Sequence, residues 1–133
     1  MASKPVQRSL AHLRENGWTV CIVEKWIPPR GKMPFGVRID AFGFGDLLAC
    51  TYPRDYVPKG KSRTTKYTTI IPPTIALVQA TDHTSFSKHK IKILAIPELQ
   101  HWKAAGGTVL LHGWGKRGPR GKRKLWTLRE EQL

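Results

Sequence analysis

Thr74-Ile-Ala-Leu-Val-Gln-Ala-Thr81 decides the fold. The run is short and almost wholly apolar. A strand with one face in water alternates polar and apolar residues. A strand without that alternation needs cover on both faces, as at the centre of an α/β sheet. Strand periodicity sets Leu77, Gln79 and Thr81 on one face. Gln79 is then a buried amide that must find partners, either backbone groups or a metal or water through its side-chain oxygen.

Elements are legible on both sides of this strand. Val6, Leu10 and Leu13 form one helical stripe, so a helix is expected over Val6–Glu15, with Pro5 in its first turn and Asn16-Gly17 ending it. Trp18–Ile27 reads as a strand stopped by Pro28-Pro29. Val37–Thr51 reads as another, kinked at Gly43 and Gly45. Residues 53–73 read as a basic insert, a loop or ribbon with a short strand at Tyr67–Ile71. Residues 82–106 return to helical character in two pieces, the second opened by Pro97 and closed by Gly106-Gly107. Thr108–Trp114 and Leu125–Arg129 read as strands joined by a basic turn over residues 115–124. The order is α-β-β-β-α-β plus a closing strand. That implies an α/β fold with a mixed central sheet in a single domain, residues 1–133.

The chain has 133 residues, 23 Lys+Arg and 9 Asp+Glu, a formal charge of +14. Its 40% hydrophobic content is that of a globular domain and excludes disordered and collagen-like chains. No apolar run approaches the ~20 residues that span a bilayer, and the N-terminus lacks the apolar region of a secretory signal. Cys21 and Cys50 cannot make a disulfide framework or a zinc site alone. A cytoplasmic protein is expected, with no membrane partner. The excess charge points to a polyanion.

Three acids fall in or beside strands: Glu24, Asp40 and Asp46. Asp46 is surrounded by Phe42, Phe44, Leu47 and Leu48. Burying a lone carboxylate costs several kcal/mol, and a hard divalent cation is one way to offset that. The other reading is an aspartate at a turn after Gly45, bonded to its own backbone. Asp40 could equally pair with Arg38, and Glu24 with Lys25. The five histidines show no ligand spacing, although His83 and His89 flank the Gln79 strand. The five tryptophans fall mostly in regular elements and read as core.

Arg38-Ile-Asp-Ala-Phe-Gly-Phe-Gly-Asp46-Leu-Leu-Ala resembles the aspartate strand of the PD-(D/E)XK nuclease superfamily, which includes restriction endonucleases and Holliday junction resolvases. Leu77-Val-Gln79-Ala-Thr81 resembles its third strand, with Gln79 in place of Glu and Thr81 in place of the usual Lys. The closing strands resemble the hairpin of small phage and bacterial members. The resemblance covers most of residues 5–130 outside the insert and implies a restriction-endonuclease-like αβββαβ core. It implies a Mg²⁺- or Mn²⁺-dependent endonuclease. Asp46, Asp40, Glu24 and Gln79 would hold the metal, and Lys88, Lys90 or Lys92 would supply the lysine charge. The expected setting is a bacterial or phage-infected cell. Symmetric cutting of two strands would call for a homodimer.

Cations gather in three groups: Arg30, Lys32 and Arg38; Arg54, Lys59, Lys61, Arg63 and Lys66; and Lys116, Arg117, Arg120, Lys122, Arg123 and Lys124. Any single group reads equally as a solvated face. Together they suit phosphate contacts that position a backbone and read little sequence. No helix-turn-helix, zinc-finger or RNA-recognition signature is visible. DNA is expected over RNA, with branched DNA a candidate substrate. The rival readings are a non-catalytic nucleic-acid-binding protein on the same fold and a basic RNA-binding protein.

Overall fold

A computed structural model describes residues 2–32, 34–51, 54–56, 69–71 and 74–133. Helix α1 spans Lys4–Glu15. Ser3 caps it by accepting the Val6 N–H, Pro5 sits in its first turn, and Val6, Ser9 and Leu13 form its buried stripe. Strands β1 (Thr19–Ile22), β2 (Lys25–Ile27), β3 (Val37–Ile39), β4 (Leu47–Thr51), β5 (Arg54–Tyr56), β6 (Thr69–Ile71) and β7 (Thr74–Asp82) follow. A single 3₁₀ turn, capped by the Asp82 side chain, leads into α2 (Phe86–Leu94) and then α3 (Glu98–Ala104). Strands β8 (Thr108–Arg117) and β9 (Leu125–Gln132) close the chain.

The main sheet has five strands in the order β1-β4-β7-β8-β9. Every neighbouring pair is antiparallel except β7 and β8, which run parallel. A parallel pair needs a crossover of a dozen or more residues, and α2 and α3 supply it. The result is a single small α/β domain with a mixed sheet, as the central run requires. β7 is the middle strand, and Ala76 through Thr81 are all buried. Val78, Ala76 and Ala80 pack with Val6 and Leu13 of α1 on one face. Leu77 packs with Phe86, Ile93 and Leu99 of α2 and α3 on the other. Among the described residues, no helix is long and apolar enough to cross a membrane.

Two expected strands are each broken in two. Trp18–Ile27 divides because the Val23 and Glu24 N–H groups both donate to the Asp46 carbonyl, at 3.0 and 3.3 Å. The chain then leaves the main sheet, and β2 pairs with β3 as a separate ribbon. Val37–Thr51 divides because residues 41–45 form a tight turn in place of a kinked strand, with Ala41 and Gly45 bonded to each other both ways. At the C-terminus the strands run further than expected. β8 continues to Arg117 and β9 to Gln132, which confines the basic turn to residues 118–124. The acidic tail joins the sheet because Glu130 reaches His112 and Glu131 reaches Lys90. In the insert, β5 and β6 pair as an antiparallel ribbon. Tyr67 and Thr68 of the expected short strand lie outside the described residues.

Close packing across the parallel pair fixes one glycine. A Cβ at Gly113, which lies opposite Thr81 in β7, would sit 2.5 Å from Cδ2 of Phe86. Phe86 is fully buried and cannot move aside cheaply. Gly113→Ala is expected to lower stability by about 1–3 kcal/mol, measured by denaturant titration. An unchanged midpoint would show that α2 shifts freely on the sheet.

Candidate metal centre

Asp46 immediately precedes β4, and all three of its polar groups join strands. Its N–H donates to the Val78 carbonyl at 2.9 Å, continuing the β4–β7 ladder. One register step on, the ladder has no β4 backbone acceptor to offer. The Asp46 carboxylate takes that place, with Oδ2 accepting from Ala80 N–H at 2.9 Å and from Gln79 Nε2 at 2.9 Å. Its carbonyl accepts from Val23 and Glu24 and so ends the β1–β4 pairing.

The turn before it returns Asp40 to Asp46. Ala41 and Gly45 face each other as an antiparallel pair, so Asp40 and Asp46 are the next residues outward. Like charges placed opposite each other across such a pair are destabilising. The turn is also strained. Phe42 has φ +55°, a left-handed conformation that a bulky residue rarely adopts. Strain of this kind costs about 1–3 kcal/mol and persists only where neighbours hold it. Here the rings of Phe44 and Trp102 stand 6.2 Å from the Phe42 ring, and Phe44 is wholly buried.

Glu24 completes the cluster from the other side, brought in by the break after β1. One carboxylate oxygen from each of Glu24, Asp40 and Asp46 lies within 4.8 Å of the others. Asp46 is buried and the other two are half-buried. Burial first, then the charge of Asp40 and a hydrogen bond with it, and finally Glu24, push the Asp46 carboxyl up to about 8, against the pull of the Ala80 N–H. Three hard oxygen donors this close could hold a divalent cation such as Mg²⁺ or Mn²⁺. Glu24 also opens onto a cleft of about 270 Å³ lined by Ala2, Ile22, Trp26 and Arg38.

The four residues expected at the site therefore come together. Gln79 enters it as a hydrogen-bond donor to Asp46 through Nε2. Lys90 does not join them; it pairs with Glu131 on β9. Lys88 is exposed in the first turn of α2. His89, half-buried on α2, is held below its ordinary value by burial first and then by Lys92, with Asp82 and Asp40 opposing. His83 lies against the Trp114 carbonyl. Arg30, Lys32, Arg38, Lys116, Arg117, Arg120, Lys122, Arg123 and Lys124 are all exposed. Lys61 and Arg63 lie outside the described residues.

Sequence reading missed a second polar centre on the α1 face. His112 is fully buried. Its Nδ1 meets Ser9 Oγ at 2.9 Å and its Nε2 meets Glu130 Oε2 at 2.7 Å, while Trp114 Nε1 donates to Ser9 Oγ at 2.8 Å. Ser9 Oγ thus joins His112 and Trp114, and His112 bridges it to Glu130. The signal was available: His112 interrupts an apolar strand run, and a buried imidazole needs two partners. Trp26 and Trp126 were also misread as core; they are 52% and 49% exposed.

Comparison of this chain with protein-family models, with curated proteins and with solved structures finds no match.

The raised Asp46 value has a definite sign. The folded state holds a proton that the unfolded chain releases above about pH 4, so stability falls as pH rises from there through about 8. The slope is at most about 1.4 kcal/mol per pH unit. Thermal melts in chelator should show this fall. Mn²⁺ or Mg²⁺ should oppose it increasingly with pH, and Asp46→Asn should abolish both effects. A wild-type melting temperature indifferent to the cation at pH 8 would exclude a metal at this cluster.

Proposed function

We propose that the protein is a metal-dependent endonuclease that cleaves DNA, with a restriction-endonuclease-like core of the PD-(D/E)XK kind. The observation that carries the reading is the convergence of Glu24, Asp40 and Asp46 at the end of the central strand, in a chain of charge +14. Binding a polyanion through basic side chains alone would need no such acids, and they oppose a polyanion unless a metal lies between. The element order α1, then β1, β4 and β7, then α2 and α3, then β8 supports the same reading.

Asp46, Asp40 and Glu24 would hold the ion, and Gln79 and the Ala80 N–H would orient Asp46. When bound there, a divalent cation would supply an activated water and neutralise charge developing on the scissile phosphate. Arg38, in the cleft beside Glu24, draws a phosphate toward the acids. Lys90 is engaged by Glu131, so the charge that stabilises the transition state is left to Lys88 or Lys92 of the same helix. The exposed cations of the β8–β9 turn position the DNA backbone. Cutting both strands symmetrically would need two copies of the chain. A binding-only protein on the same fold is the second reading, favoured by Thr81 at the usual lysine position and by the Lys90–Glu131 pair.

The test is cleavage of duplex, single-stranded and branched DNA and of RNA in Mg²⁺ or Mn²⁺. Asp46→Asn should lower the rate by more than about 100-fold, since even a partner of a metal ligand is worth about 10–100-fold. Wild type and Asp46→Asn equally inert, yet equal in DNA binding, would leave the binding protein standing. Replacing Arg120, Lys122, Arg123 and Lys124 with Ser should reduce the salt slope of binding by up to about 3.6, at ~0.9 per phosphate contact on duplex DNA. An unchanged slope would show that the turn does not touch phosphate.

A further inference from the structure

On the α1 face, away from the acids, a cleft of about 380 Å³ lies between the first helix and the β8–β9 arm, lined by Arg8, Ala11, His12, Glu15, Trp114 and Trp126. That volume is within the ~300–1,000 Å³ range of small-molecule sites. Trp126 is half exposed on β9. The Arg8 guanidinium lies 3.5 Å from the centre of its ring, and Lys116, its partner in register on β8, lies 5.4 Å away.

We propose that this cleft binds an unpaired base of a DNA strand, stacked as the next layer on the Trp126–Arg8 pair with its phosphates on Arg8 and Lys116. Several independent features fit a nucleotide better than a bare phosphate. The guanidinium carbon lies over the indole ring, and both indole and guanidinium planes are platforms for bases. Glu15, exposed on one wall, repels phosphate but accepts from the N–H edge that every base offers. His12, half-buried in the cleft wall, is held below its ordinary value by burial first and then by His112, with Glu130 and Glu15 opposing. Its ring nitrogens are polar partners for a base. Trp114 forms the floor and is fixed through its Nε1 bond to Ser9. A contact that merely tied α1 to β9 would need neither the open volume nor the acid.

The inference rests on the nucleic-acid reading and not on the metal centre, so it is tested in chelator. Binding of fluorescein-labelled oligo(dT) of twelve residues is measured by anisotropy, beside an abasic strand of equal length and charge and a blunt duplex. Trp126→Ala should weaken oligo(dT) binding about 10-fold or more, while Trp126→Phe restores most of it. The abasic strand should bind wild type as weakly as oligo(dT) binds Trp126→Ala. Near-ultraviolet circular dichroism and melting confirm that each variant is folded. Equal binding of abasic and oligo(dT) strands by wild type would overturn the proposal. So would oligo(dT) affinity unchanged in Trp126→Ala with only the melting temperature lowered. Failure to bind even the duplex would instead remove the nucleic-acid reading itself.

Discussion

The hydrogen bonds of Asp46 hold three strands in one place. Its N–H and carboxylate secure β7, and its carbonyl turns the chain out of β1. The N–H bond extends the β4–β7 ladder by one residue, the carboxylate takes over where that ladder stops, and the carbonyl ends the β1–β4 pairing. The β2–β3 ribbon, the tight turn at residues 41–45 and the arrival of Glu24 all follow from where those ladders stop. The same carboxylate is unfavourable in its charged form, because it is buried and because Asp40 and Glu24 stand close to it. The geometry that fixes the fold thus creates an excess of negative charge in a basic protein.

The two faces of the sheet divide the chemistry. Gln79 lies with Leu77 on the side covered by α2 and α3, while Ser9, His112, Trp114 and Trp126 lie on the side covered by α1. Residues alternate along β8, so Gly113 and Gly115 take the close approach of Phe86 and His83 while Trp114 and Lys116 face the first helix. One strand therefore serves tight packing on one side and an aromatic, cationic cleft on the other.

Much of this was legible from local pattern. The run of residues 74–81 fixes a central strand and puts Gln79 on the face that carries Leu77. The stripe of Val6 and Leu13 fixes the first helix, and apolar flanks single out Asp46. What was not legible depended on distant partners. Nothing local divides Trp18–Ile27, because the break comes from a carbonyl more than twenty positions away. The left-handed Phe42 could not be read from a residue type that avoids that region. Glu130 looked like a polar tail because its partner, His112, lies across a strand pair. Trp126 looked like core because tryptophan usually is, although the exposed Lys124 and Leu125 beside it pointed outward.

Ser9 and His112 stand 103 positions apart, and Glu130 lies further on still. The first helix thus takes its buried polar partners, His112 and Trp114, from β8. Contacts that close so long a loop slow folding, because chain entropy is lost before the contact forms. During synthesis α1 is made early and docked late. Its Val6–Leu13 stripe is covered by residues of β1, β4, β7 and β8, from Val20 to Leu110, and stays uncovered until those strands have been made. The interval in which that stripe is exposed is set by translation rather than by the stability of the finished fold.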